Sequence, residues 1–274
     1  MMIEQPACNN NNSTFFMKHT FPLVFLLLVT ACSEPAISIS QTQTDVTEPE
    51  DSLSIVEKHY KEFNDSVKSI SKGTVSNGSL EHGQLFPFSG KNYHYFDTNS
   101  YLASRCFVHS NVKSCVLDTY EKLEKTAPNR LFGIMECSNE HGGKIAPHRT
   151  HQNGLSIDFM TPLLKNGQPY TDLDFAGAQH YLMNFDANGR YEDDPTVSID
   201  FELMAQHLLT LIESARTNGL TIEKVIWKME LRDELFATES GKKLQQSGVY
   251  ITTNLTPLIN ALHDDHYHVD FKLK

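Results

Sequence analysis

His148-Arg149-Thr150-His151-Gln152-Asn153-Gly154-Leu155-Ser156-Ile157-Asp158-Phe159-Met160 is the stretch whose reading decides the fold. From Leu155 to Met160 apolar and polar side chains alternate, the period of a half-buried strand. Leu155, Ile157 and Phe159 then face one side, and Ser156, Asp158 and Met160 the other. Asn153-Gly154 supplies turn chemistry, because both residues tolerate positive φ. His151 is thereby placed on a loop folding back over the strand that carries Asp158. Near the C-terminus, Tyr267 to Leu273 alternates in the same way, so His266 and His268 point to one face.

One carboxylate and two or three imidazoles converging on an open face form the donor set of a catalytic zinc site. Such zinc takes three protein ligands, at roughly 2.0–2.2 Å, and keeps a fourth position open. His151, Asp158 and His268 supply two nitrogens and one oxygen. His266, on the same face as His268, lies close to where water would be activated, and its imidazole can take and return a proton. No HExxH or ExxH pattern supplies a glutamate base.

With these residues in place, the sequence resembles the penicillin-insensitive murein endopeptidases, within the wider group of lysostaphin-type, D-Ala-D-Ala and hedgehog-like zinc folds. The pattern of that group is His151-x6-Asp158 followed by His266-x-His268. The closer resemblance runs from Gly142-Gly143, through His148-x-x-His151-Gln152-x-Gly154, to His263-x-x-His266-x-His268, and covers roughly Gly73 to Lys274. Asn92 to Phe96 resembles an asparagine-aromatic segment of the same family. An isolated H-x6-D is weak in a chain with 13 histidines; the combined string is specific.

The resemblance implies an α+β fold, a small antiparallel sheet with flanking helices, of the hedgehog and D-Ala-D-Ala peptidase type. It implies a Zn²⁺-dependent hydrolase of peptidoglycan peptide cross-links, at D-alanyl–diaminopimelyl bonds or near variants, without a serine acyl-enzyme. A carboxypeptidase of the same architecture and a non-catalytic zinc- or wall-binding lipoprotein are the alternatives. His148 is open to three readings: supporting a ligand, contacting substrate, or ligating an additional metal. His263 is read as orienting His266 or as ligating an additional metal. Gln152 either meets substrate or holds the loop, and Arg149 is the first candidate to clamp a substrate carboxylate, where many family members have a small residue. Asp264 and Asp265 are read as turn residues in preference to orienting carboxylates. His59, His82, His94, His109, His180 and His207 are read as ordinary polar groups.

Outward from the motif, residues 1–32 read as leader and signal. Phe21 to Val29 is an apolar run too short to span a bilayer. It ends in Val29-Thr30-Ala31-Cys32, a lipoprotein cleavage box in which Cys32 takes the lipid. Residues 33–51, rich in Ser, Thr, Gln, Pro and acids, form a tether. Residues 52–72 carry helical spacing (Leu53, Val56, Tyr60, Phe63, Val67, Ile70) and read as a spacer or lid, leaving 73–274 as the catalytic domain. The expected location is the periplasm of a Gram-negative bacterium, attached by that lipid alone, with the outer membrane favoured.

Within the domain, strands are expected at Tyr93–Phe96, Leu131–Cys137 and Ile222–Trp227, and helices at Asn111–Ala127 and Asp200–Arg216. Thr171 to Pro195 is a long acidic excursion of the kind that either contacts substrate or is merely solvated. A formal charge of −11 and a pI near 5.6 argue against nucleic acid as a partner. Of the five cysteines, Cys106, Cys115 and Cys137 would meet an oxidising compartment. A Cys106–Cys115 disulfide is expected from proximity in sequence.

Overall fold

The computed structural model describes residues 54–63 and 66–274; the leader, Cys32 and the tether lie outside the described residues. Helix α1 (Ile55–Phe63) begins with a reciprocal cap, Ser54 N–H donating to Glu57 Oε2 and Glu57 N–H to Ser54 Oγ. His59 and Phe63 pack on Tyr101 and Phe107. This helix is shorter than the one expected over 52–72. Val67 and Ile70, counted in its apolar stripe, are 50% and 49% exposed, and Ile70 opens strand β1 (Ile70–Thr74), antiparallel to β2 (Asn77–Glu81). The cause is local. Gly73 sits at φ +70°, where a Cβ would come within 2.3 Å of Asn77 O, so the chain turns into a hairpin where a helix would have ended.

Next come β3 (Gln84–Leu85), β4 (Tyr93–Tyr95), α2 (Thr98–Leu102) and β5 (Phe107–Val108), with β3 pairing β5. Helix α3 (Ser110–Thr126) buries Val112, Cys115, Val116, Thr119, Tyr120 and Leu123, the stripe its spacing dictates. Strands β6 (Phe132–Ile134), β7 (Ser156–Met160), β8 (Leu163–Lys165) and β9 (Gln168–Tyr170) follow. The acidic excursion holds one 3₁₀ turn at Gly177–Leu182 and leads into β10 (Val197–Ile199), which forms a small antiparallel sheet with β8 and β9. Helix α4 (Phe201–Thr217) is capped by Asp200, which accepts from Leu203 N–H and pairs with Arg130 at 2.7 Å. Strand β11 (Leu220–Ile226), short helices α5 (Arg232–Ala237), α6 (Glu239–Gln246) and α7 (Pro257–Ala261), and β12 (His266–Leu273) complete the chain. The α+β class with small antiparallel sheets and flanking helices is as expected.

The main sheet has the order β11-β12-β7-β6-β4. It is antiparallel except for the parallel β4–β6 edge pair. Every residue of β7 is buried, so the strand is central where the alternation alone implied one wet face. Its apolar face meets α4: Phe159 lies against His207 and Tyr267. The polar face carries Ser156 and Asp158. Pairing of β12 with β7 sets His268 opposite Asp158 and His266 opposite Met160.

The expected Cys106–Cys115 bridge is absent. All three described cysteines are free and buried. The Cys106 thiol contacts Tyr101 O, whereas Cys115 faces α4 and contacts Leu211 O. Nearness in sequence failed because α3 turns Cys115 into the helix–helix interface. Burial pushes its thiol up to about 12, so it behaves as a small core residue.

His207 is a histidine inside the core, ringed by Tyr120, Phe132, Phe159 and Tyr267, with its Nδ1 2.8 Å from the Tyr267 hydroxyl. Burial holds its pKa down to about 3. As pH falls from the ordinary value near 6.5 towards 3, the unfolded chain gains a proton that folded His207 refuses, so stability drops. His207→Phe should lose about 1–3 kcal/mol at pH 7, from the stranded Tyr267 hydroxyl. Its further loss between pH 6.5 and 4 should be shallower than wild type in urea unfolding with chelator present.

Candidate metal centre

The loop that presents His148 and His151 is tied to the fold by its backbone. Gly143 N–H donates to Gln152 O, Gln152 N–H to Val75 O, and Gly154 N–H to Ser138 Oγ. Gly142 has φ +70°, and a Cβ there would lie 2.3 Å from Gln152 O; only glycine lets these segments approach. His151 itself adopts φ +63°, a conformation non-glycine residues rarely take. The Gln152 side chain donates to Arg149 O at 3.2 Å and so holds the loop, while Arg149 is exposed.

Four imidazoles surround the Asp158 carboxylate. Its Oδ1 lies 2.7 Å from His268 Nδ1 and 3.3 Å from His151 Nε2. Its Oδ2 lies 3.7 Å from His148 Nδ1 and 3.9 Å from His266 Nε2. Donor atoms of His148, His151 and Asp158 gather within 4.8 Å of one another, a group able to hold a metal ion. His268 meets this group through Asp158. Thus the structure brings together all the residues the motif singled out, with His148 nearer the centre than the expected ligand set placed it.

The donor set fits a metal for a further reason. Asp158 Oδ2 and both ring nitrogens of His151 are buried without hydrogen-bond partners. Orphaned buried polar atoms are rare because each carries an uncompensated desolvation cost. His148, His151 and Asp158 each bring one donor atom to the same small volume, where a cation would answer the carboxylate and one His151 nitrogen. Burial alone would raise Asp158, but His151 and His268 hold its carboxyl well below the usual range, so the candidate donor oxygen is charged. Burial, only partly offset by Asp158, keeps His148 down at about 3, neutral and able to offer a lone pair. Burial opposes charge on His268 too, yet Asp270 and Asp158 raise it to about 10.

Around this centre stand further groups, most of them announced by no motif. Asp265 accepts a short hydrogen bond from His266 Nδ1–H, correcting its reading as a turn residue: both it and Asp264 are buried. Asp264 pairs with Lys228 at 2.8 Å and accepts from Phe185 N–H. His263 donates to Ile259 O and packs its ring 4.8 Å from that of His266, so it supports His266 by contact, and Asp265 does the orienting. His180 backs the site through Asp265 O at 3.0 Å. Tyr181, from the acidic excursion, sets its ring edge-on to His266 and His148. Arg105 bonds Glu136 at 2.6 Å and Ala146 O at 3.0 Å, tying the His148 loop to the segment that follows β6, where Glu136 O accepts from Asp158 N–H. Nearness to His266 in sequence was the signal available for His263, Asp264 and Asp265; His180, Tyr181, Arg105 and Glu136 lie far from it along the chain.

Among known proteins, the family model described as penicillin-insensitive murein endopeptidase matches residues 71–273. No curated protein matches the chain. Zinc added to metal-free protein should raise its Tm, with about 2.7 kcal/mol of stabilisation at a hundred times the dissociation constant. His151→Ala should remove that shift, read by calorimetry before and after chelation.

Proposed function

Because the chain belongs to the penicillin-insensitive murein endopeptidase family, a family of hydrolases acting on peptidoglycan cross-links, we propose that it is a zinc-dependent enzyme cleaving D-alanyl–diaminopimelyl bonds. The observation that carries the zinc reading is the gathering of one donor atom each from His148, His151 and Asp158 within 4.8 Å of one another, where buried Asp158 and His151 atoms have no hydrogen-bond partner. His151, Asp158 and His268 are the proposed ligands. A zinc ion there supplies Lewis acidity towards the scissile carbonyl and the attacking water.

The chain's own residues do the rest. His266 has its Nδ1 proton engaged by Asp265, which leaves Nε2 facing Asp158 as the proton-accepting nitrogen. From there it takes the proton of the attacking water and returns it to the leaving amine. Asp265 holds the ring and offsets its positive charge while the proton is carried. Tyr181 and His263 wall the imidazole on its flanks, keeping bulk water from the proton. No serine is acylated in this scheme, so a β-lactam has no nucleophile to trap.

One observation favours a second ligand set. The compact donor group includes His148 and leaves out His268, so His148 would replace His268 as the third ligand. Zinc affinities of His148→Ala and His268→Ala decide between the two sets, the true ligand showing the larger loss. Among the described residues no helix is long and apolar enough to cross a membrane. A lipid on Cys32 is the proposed attachment, facing the periplasm, with the outer membrane favoured.

The zinc-loaded full chain, incubated with purified cross-linked muropeptide dimers, should release monomers with intact stems, followed by mass spectrometry. His266→Ala should lower that rate by about 10²–10⁴-fold while retaining zinc. Dimers shortened only by alanine would instead assign a carboxypeptidase, and unchanged dimers would sink the enzymatic reading.

A further inference from the structure

Asp270 lies two residues beyond His268 on the same face of β12 and belongs to none of the sequence patterns. Its Oδ1 accepts from His268 Nε2–H at 2.7 Å and from the Ser156 hydroxyl at 2.6 Å. The Lys224 ammonium sits 2.9 Å from Oδ2. Lys224 and Ser156 are the cross-strand partners of Asp270 on either side, so a polar row runs across β11, β12 and β7. The His268–Asp158 pair forms the next row on that face. The His268 ring bridges the two rows, one nitrogen on each carboxylate.

A neutral imidazole offers one lone pair, and the partner of one nitrogen decides which nitrogen offers it. A metal-bound His268 keeps a single ring proton, for which Asp158 and Asp270 compete. If Asp158 kept it on Nδ1, the nitrogen facing the donor cluster would have nothing to give a metal. Asp270 is 1% exposed, and a carboxylate so buried persists only where charge and hydrogen bonds answer it; Ser156 and Lys224 do so, and hold it against His268.

We propose that Asp270 is a positioning residue of the metal centre, which keeps the His268 proton on Nε2 so that Nδ1 coordinates the ion. This rests on the reading of His268 as a ligand. Ser156 and Lys224 act through Asp270 by fixing its carboxylate, and the device spans three adjacent strands.

The test is zinc affinity of the full chain, by competition with a chromophoric chelator, in wild type, Asp270→Asn, Ser156→Ala and His268→Ala. Long-range ¹H–¹⁵N spectra of the zinc-loaded wild type locate the His268 proton. The expected results are a loss of about 10–100-fold for Asp270→Asn, a smaller loss for Ser156→Ala, and a His268 proton on Nε2. Urea unfolding of the metal-free proteins shows that each variant is folded; should Asp270→Asn not fold, Ser156→Ala and the wild-type spectrum decide. Loss of zinc in His268→Ala with wild-type affinity in folded Asp270→Asn overturns the inference alone, as does a proton found on Nδ1. Wild-type affinity in His268→Ala overturns the ligand reading and the inference with it.

Discussion

A carboxylate 1% exposed to solvent, with imidazoles around it, is the constraint on which this molecule turns. Removed from water, Asp158 stays charged only because His151 and His268 stand against it. That arrangement needs β7 and β12 paired in one register, since a slip of one residue would turn His268 to the opposite face. The apolar half of the same strands enforces the register. Ile157, Phe159, Tyr267 and Val269 are all buried, and none tolerates exchange with its polar neighbour. Core packing and metal chemistry thus share two strands, one on each face.

Support for the centre is arranged by direction. Beneath His268, Asp270, Ser156 and Lys224 lie on the sheet itself, where pairing makes distances rigid. Around His266 the support comes from outside the sheet: Asp265 just before β12, His180 and Tyr181 from the 3₁₀ turn of the acidic excursion. The Arg105–Glu136 pair ties the His148 loop to the sheet. The candidate donors are therefore carried on strands and a tightly bonded loop, while His266 is enclosed by a bend and a short 3₁₀ turn. Lys228 and Asp264 compensate by clamping the excursion at Phe185.

Much of this was legible beforehand because the relevant signals are local. Alternation located β7 and β12, and with them the facing of His266 and His268. Helical stripes located α3 and α4 within a residue or two. The expectations that failed were those in which a local pattern competed with packing. Val67 and Ile70 continued an apolar period, yet Gly73 drew the chain into a hairpin and left both half exposed. Cys106 and Cys115 are close in sequence, but the helix between them turns one into the α3–α4 interface. Asp265 looked like turn chemistry until burial gave it a partner.

By itself the sequence singled out the candidate donors, Asp158 and His268 on strands and His151 on the loop before one of them, and the family to which the chain belongs. Those follow from side-chain type and the two-residue period of a strand, which need no knowledge of distant contacts. Only the tertiary structure decided that His148 joins the donor group, that β7 is covered on both faces, and that Asp270, Tyr181, Glu136 and Arg105 lie around it. Each of those depends on which surfaces meet once hydrophobic burial has closed the fold, and residues far apart in the chain become neighbours only then.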